Sequence, residues 1–428
     1  MKIGIIGSGY TGLSAAYYLS QKGHQVTVFE KEKYLAGLAA SFKDNSWNWP
    51  LERFYHHIFP SDKYFRNLAQ ELNHPMLHLD LKTSIFFNEK ILSFDNPISL
   101  LKFPKLSLID KLRTAILIAI LKITPFWQPL ENISATRFIK TVGGQNSWKV
   151  LWEPLFKSKF GNHINLIPAS WFWARIKKRE TTFYYPEGGF DHFAQTLKSA
   201  AQNLGTRFYF NTEIVKINKT KKVIHLKTGK REFSFDRIIV TSTFSNFYKI
   251  GKFRDNNYRG KINKLKFRST LIMIASLKKP FLKDSIYWLN INDQTFPFVG
   301  VVEHTNFINS KKYNSEHLIY IANYLDPKHS FFKSNKTQLI KRYLPYLQKI
   351  NPGFNHSWIN KIWVYKSHFA QPIITTGYSK IVPGFTTPLN GVYIANMQQV
   401  YPWDRQTNYA IKAGKEIAKL VDNSTDSR

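Results

Sequence analysis

The chain contains no cysteine. Disulfides, thiolate metal sites, a cysteine nucleophile and a flavin tethered through cysteine are thereby excluded. The absence also fits a reducing compartment. Long apolar runs are missing as well. The longest uninterrupted one, residues 115–121, is far below the roughly 18 residues that a membrane span needs. The apolar run at the N-terminus is short and ends in a glycine turn, which does not read as a signal peptide. The expectation is a cytoplasmic protein, with a peripheral position at the inner face of the membrane kept open. Acidic residues are scarce: 28 Asp and Glu face 61 Lys and Arg, for a net charge of +33. Such an excess creates a strong positive field. The lysines are scattered, which fits compositional bias; an anionic membrane surface is a second reading and nucleic acid a third. No nucleic-acid motif accompanies the charge, so no nucleic-acid partner is expected. No metal site is expected either.

The 428 residues and the 43% hydrophobic fraction can fill the cores of two domains. The N-terminus carries the strongest local signal. Ile3, Ile5 and Ile6 lead into Gly7-Ser8-Gly9-Tyr10-Thr11-Gly12, residues 13–19 read as a helix, and residues 25–29 form a second β-rich run closing on Glu30. Gly7 allows the strand-to-helix turn, Gly9 lets backbone approach a pyrophosphate, and Gly12 lets helix and strand pack closely. The pyrophosphate then meets the free N–H groups and positive dipole of a helix N-terminus. Glu30 can accept the hydroxyls of an adenosine ribose. The pattern predicts a dinucleotide-binding βαβ unit.

Farther on, residues 98–139 turn helical, with Ser107 and Asp110 spaced as a capping pair. Residues 207–240 read as strands with a turn at Thr228-Gly229-Lys230, and 235–241 as a buried parallel strand. Residues 271–277, 286–291 and 317–324 predict a further sheet, 392–395 a short strand, and 408–421 a closing helix. No internal repeat or low-complexity segment is visible. The closing strand and helix must return to the sheet that the N-terminus begins. The fold class is therefore α/β, α+β over the whole chain: a discontinuous Rossmann-like nucleotide domain built from separate segments, with a substrate domain inserted between them.

Past Glu30 the chain runs Tyr34-Leu35-Ala36-Gly37-Leu38-Ala39-Ala40-Ser41-Phe42. This resembles the segment after the nucleotide unit in FAD-dependent amine oxidase-like flavoproteins, where a Gly-Gly pair lies against the cofactor; here Ala36 replaces the first glycine. The resemblance continues at Glu52-Arg53-Phe54-Tyr55-His56-His57-Ile58-Phe59 and at residues 152–161, 185–190 and 303–306. It ends at Ala395-Asn396-Met397 and at residues 401–410, so it covers nearly the whole chain. The pattern is similar to the bacterial branch described as protoporphyrinogen oxidase-like or UDP-galactopyranose mutase-like. It implies an FAD domain from residues 1–75, 180–247 and 365–421, a helical cap at 76–179, a mixed substrate-domain β-sheet at 248–364, and a disordered tail at 422–428.

The resemblance implies non-covalent FAD and assigns residues to it. Gly7, Ser8, Gly9, Tyr10, Thr11, Gly12, Glu30 and Lys31 hold the ADP half, and Gly37, Leu38 and Ala39 lie near the pyrophosphate and ribityl chain. Val215 stands where backbone amides hold the adenine, or is an ordinary strand valine. Asn396 stands where relatives carry an acid touching the ribityl or phosphate. Arg405 is either a cation beside the flavin or an anionic substrate group, or the partner of Asp404. Thr407 and Asn408 begin the last helix, whose dipole favours negative charge on the reduced flavin. Tyr55, His56 and His57 fall where the family chain passes the isoalloxazine and are catalytic candidates. Two adjacent histidines can move protons near neutrality, but adjacent side chains on a strand face opposite ways, so both cannot line one pocket. His304 is the candidate substrate-facing acid or base, or part of a structural polar network.

The implied reaction is hydride transfer from an apolar, isoprenoid or porphyrin-like small molecule to flavin N5, with oxygen or a quinone as electron acceptor. The alternatives are a mutase-like isomerase that uses reduced FAD on a nucleotide sugar gripped by Arg53, Arg175 or Arg405, and a non-catalytic flavoprotein that recruits a partner. Residues 98–127 are apolar nearly all round, with Lys102, Lys105, Lys111, Arg113 and Lys122 among them. They read as a buried cap helix over the substrate cavity, or as a segment dipping into an anionic membrane surface with Phe126 and Trp127 as anchors.

Overall fold

The apolar run at the N-terminus becomes the middle strand of a five-stranded parallel sheet. In the computed structural model, which describes residues 1–93, 97–220 and 223–424, Lys2–Ile6 pairs with Gln25–Phe29 on one side and Arg237–Val240 on the other. Arg207–Tyr209 and Val392–Ile394 are the edges. Helices cover both faces, so Ile3, Ile5, Val28, Ile238 and Ile239 are fully or almost fully buried. Phe235 belongs to the strand before Arg237–Val240. That strand closes a small antiparallel sheet whose hairpin turns at Thr228–Lys230.

Two helices meet over this sheet at backbone distance. A Cβ on Gly414, in the helix Thr407–Asn423, would lie 2.5 Å from the Thr11 carbonyl oxygen and 2.7 Å from Ser14 Cβ. A Cβ on Gly12, in the helix Tyr10–Gln21, would lie 2.0 Å from the Gly7 carbonyl. Neither position has room for any other residue. The closing helix reaches Asn423, past the 408–421 expected, and so enters the stretch read as a tail; residues 425–428 lie outside the described residues.

The second sheet has seven strands in the order Ile359–Ile373, Lys266–Leu277, His317–Leu325, Gly300–Glu303, Ile286–Ile291, Lys82–Phe87 and Lys90–Ser93. All neighbours are antiparallel except Ile286–Ile291 with Lys82–Phe87. The segment expected as helical cap therefore begins with strands, Met76–Asp80 among them. The strand Ile359–Ile373 likewise runs across the expected boundary at 365.

The helix Leu108–Ile123 starts at a capping box in which Ser107 and Asp110 satisfy each other's backbone N–H, as their spacing predicts. It buries only Thr114, Leu117 and Leu121. The reading of a buried cap helix therefore holds for one face; the other is bare. Among the described residues no helix is long and apolar enough to cross a membrane.

A buried carboxylate ties the helix Gly189–Asn203 and the strand Thr182–Pro186 to the seven-stranded sheet. Glu52 is inaccessible to solvent, and its Oε1 accepts the Phe190 N–H at 2.9 Å. Both its oxygens lie within 2.8 Å of the Tyr185 hydroxyl. Its own carbonyl accepts the Tyr320 hydroxyl at 2.7 Å. Burial pushes this carboxyl up from 4.5 to about 7 against the pull of those donors. Between those values the unfolded chain has released a proton that the folded chain keeps, so stability falls as pH rises through that window. We expect Glu52→Gln to be destabilised at pH 5 and to recover relative to wild type by pH 8, by up to about 3 kcal/mol; thermal unfolding across pH reads this. A gap independent of pH would contradict it. Gly414→Val should cost about 3 kcal/mol or more at any pH, because backbone stands where the side chain would go.

Candidate active site

The glycine turn is built as its spacing requires. Gly7 sits at φ +107°, where a Cβ would strike Thr241 Oγ1 at 2.4 Å, and its N–H donates to the Phe29 carbonyl at 2.8 Å. Gly9 caps the first helix and differs from the other two: a Cβ there meets nothing within 4 Å. Its outer side is open. Glu30 stands beside the turn, with Oε2 accepting from the Ser8 N–H and hydroxyl at 2.9 and 3.0 Å and Oε1 from the Glu32 N–H at 3.0 Å. The next loop folds against the turn, the Ala36 N–H donating to the Ser8 carbonyl at 2.9 Å. Ala36 adopts φ +71°, a conformation that glycine takes freely and alanine at a cost. Gly37 follows at φ +59°, where a Cβ would lie 3.5 Å from the Gly9 Cα. Gly37 is exposed, Leu38 half-buried and Ala39 buried.

The closing helix points its N-terminus into the same region. Asn408 Oδ1 accepts the Phe65 N–H at 3.0 Å, whereas Asn408 Nδ2 and Thr407 Oγ1 are buried with no protein partner among the described residues. Buried polar groups are ordinarily paired. Two orphans at a positive helix end, facing a glycine turn with open space, fit the phosphate, ribityl and ring oxygens of FAD.

Other expected contacts are placed differently. Tyr10 turns its side chain into the core, its hydroxyl donating to the Phe190 carbonyl at 2.6 Å, and Thr11 is buried beside it. Lys31 is exposed and lies 3.6 Å from Glu32. The Val215 N–H is committed to the Lys227 carbonyl at 2.8 Å. Asn396 caps the turn Met397–Gln399 and donates to the Ser242 carbonyl at 3.0 Å, so both ends of its amide are engaged.

Tyr55, His56 and His57 lie on a loop, not a strand. All three are half-buried yet strongly desolvated, held among apolar groups with part of each side chain still open. Tyr55 meets Trp288 edge-on at 4.8 Å and Tyr320 at 5.8 Å. Its hydroxyl reaches Tyr324, and Tyr55 feels the charge of Arg405. Arg405 donates to the Tyr324 hydroxyl at 3.2 Å and to Gln371 at 3.3 Å. His56 packs on Phe190 and shares a 2.5 Å hydrogen bond with the Phe54 carbonyl. His57 lies among Phe59, Phe183, Tyr287 and Trp288. The two imidazoles thus diverge, as neighbours on a strand would. Burial lowers them to about 4 and about 3, so neither titrates near neutrality as the sequence reading expected.

His304 ends the strand Gly300–Glu303, where its pattern predicts. Its Nε2 shares a 2.8 Å hydrogen bond with the Tyr313 hydroxyl, and Tyr185 and Tyr320 pack on its ring. It stands one ring behind Tyr320, which itself touches Tyr55. Burial lowers it to about 3, so it is neutral at pH 7.

Beside Arg405, a group brought near neutrality is one that sequence reasoning did not single out. Lys159 Nζ lies 2.5 Å from Asp404 Oδ2, and Arg175 approaches the same oxygen at 2.9 Å. Burial, with Arg175 and Arg405 nearby, brings Lys159 down to about 7 even against the attraction of Asp404. Asp404 is held well below the usual carboxylate range by Lys159 and Arg175, which outweigh its own burial. Both ends of this contact lie in stretches that carry the family resemblance, 152–161 and 401–410, which was the available signal. Tyr324, Gln371 and Trp288 carried none.

The description of flavin containing amine oxidoreductases as a family matches residues 10–421. The 1-hydroxycarotenoid 3,4-desaturase of a Flavobacterium species is 26% identical over 275 residues, 55% of each chain. Matched stretches span between 10% and 55% of the length of the curated relatives. A candidate protoporphyrinogen oxidase from an Exiguobacterium species superposes with a TM-score of 0.81 over 99% of both chains at 14% identity. Reduced UDP-galactopyranose mutase gives 0.78 over 100% of this chain and 96% of its own at 17% identity. These two likenesses establish the fold. With the family match running from the first helix to the closing helix, the chain belongs to the flavin containing amine oxidoreductases, and its cofactor is FAD.

Proposed function

We propose that the chain is an FAD-dependent oxidoreductase that desaturates or oxidises an apolar, isoprenoid or porphyrin-like substrate. The observation that carries this reading is the aromatic cluster beside Arg405, where Tyr55, Trp288 and Tyr324 offer rings and hydroxyls. Carotenoid desaturases among the relatives support it. Bound FAD supplies the hydride acceptor in such chemistry. The protein's part is binding and orientation: Tyr55 and Trp288 position an apolar chain and exclude water. Arg405, fixed by Gln371 and Tyr324, and Lys159 with Arg175 set three cations against Asp404. The surplus favours an anionic group at that end of the cavity. Lys159 can hold a proton at Nζ below about pH 7 and lack it above. Oxygen or a membrane quinone is the proposed electron acceptor. A nucleotide-sugar mutase is less well supported, because only two of the three arginines converge: Arg175 and Arg405 lie by Asp404, whereas Arg53 stacks over Tyr34 at 3.9 Å.

The purified protein should be yellow and carry FAD. Gly9→Val should lose at least about tenfold in FAD affinity while its apoprotein unfolds with wild type, because the new side chain fills only open space; unaltered affinity would sink the assignment of that loop. Anaerobic bleaching of the flavin by a polyene or porphyrinogen supports the oxidoreductase. Turnover of a UDP-sugar only after dithionite would replace it with the isomerase. The rate of flavin reduction should change through pH 7 and lose that step in Lys159→Met, as stopped-flow absorbance can follow.

A further inference from the structure

The outer face of the helix Leu108–Ile123 has an order that burial does not explain. At the roughly 100° per residue of an α-helix, Leu108, Ile109, Leu112, Ile116 and Ile123 fall within an arc of about 100°. All are exposed, Leu108 to 79% and Ile123 to 77%. Buried Thr114, Leu117 and Leu121 occupy the opposite side. Lys111 and Lys122 flank one edge of the apolar stripe and Arg113 the other. Each rests on neutral backbone carbonyls (Leu101 for Lys111, Lys177 and Arg179 for Lys122, Thr141 and Val142 for Arg113) and forms no salt bridge among the described residues. The helix's single acid, Asp110, is turned inward onto Ser107 and Asn146. Exposed Ile98, Leu101 and Phe126 lengthen the stripe. Trp127, read as a second anchor, instead packs on Tyr401 at 4.9 Å.

We propose that this face docks on an anionic lipid bilayer, the helix lying in the interface plane with its stripe at the acyl boundary and its basic edges at the lipid phosphates. Apolar area and basic flanks on one helix are the two contributions that bind such helices. Charge complementarity selects the occupant. A second copy would set one basic rim against another, whereas anionic headgroups neutralise both. The surface adjoins the cavity: the Trp173 indole donates to the Thr124 carbonyl at 2.9 Å and packs 5.3 Å from Trp403, the residue before Asp404. The proposal stands whatever reaction the flavin performs.

The test is co-sedimentation of the FAD-loaded full chain with phosphatidylcholine vesicles, with and without phosphatidylglycerol. Wild type should bind the anionic vesicles, more weakly at high salt. The triple variant Ile109→Ser, Leu112→Ser, Ile116→Ser should lose about tenfold or more of that binding with flavin content and unfolding temperature kept. Lys111→Glu with Lys122→Glu should weaken binding far more than the equal charge change Lys336→Glu with Lys341→Glu on a distant helix. Serine variants that bind like wild type, or control variants that lose as much as the edge variants, overturn the proposal. So does a dimer that the serine substitutions dissolve in the absence of lipid binding.

Discussion

One buried carboxylate holds the cavity's surroundings in register. Glu52 follows the nucleotide unit directly, yet its partners come from residues 185, 190 and 320. Without it the Tyr185 hydroxyl and the Phe190 N–H would be buried and unpaired, at a cost of about 1–3 kcal/mol each. Tyr320, fixed through the Glu52 carbonyl, is the ring that Tyr55 and His304 both touch. The orientation of the cavity wall is thus set by a hydrogen-bonded junction behind it, with the aromatic packing built upon that junction.

The scarcity of acid gives each carboxylate weight. Glu30 gathers the nucleotide loop, Glu52 joins Tyr185, Phe190 and Tyr320, Asp404 gathers Lys159 and Arg175, and Asp62 takes Lys178 at 2.7 Å while wholly buried. Glu303 accepts the N–H groups of Phe281 and Leu282. In a chain with so large an excess of base, the acids named here are internal fasteners. The unmatched positive charge is left to the surface.

What could be read in advance was local. The glycine turn, the second strand ending on Glu30, the capping box at Ser107 and the strand Ile286–Ile291 each follow from residues within a few positions of one another, where backbone geometry and periodicity act directly. The helical face was legible as apolar, but which half of it would be covered depended on Leu117 and Leu121 finding a partner layer. The cavity was less legible for the same reason. Lys159 acquires its character from Asp404, 245 residues away, and Tyr55 from Trp288 and Arg405. Tyr10 reads as part of a phosphate loop and yet packs among Phe65, Phe190 and Phe193, none of which is its neighbour in sequence.

The parallel sheet carries a further implication for how the protein is made. Its central strand leaves the ribosome almost four hundred residues before the edge Val392–Ile394 and the helix end bearing Thr407 and Asn408. During synthesis the glycine turn therefore waits with one wall of its groove missing and with the backbone surface that Gly414 will cover still wet. The groove beside the glycine turn thus has both its walls only once the helix Thr407–Asn423 is in place, which makes FAD capture a readout of chains that reach at least that helix.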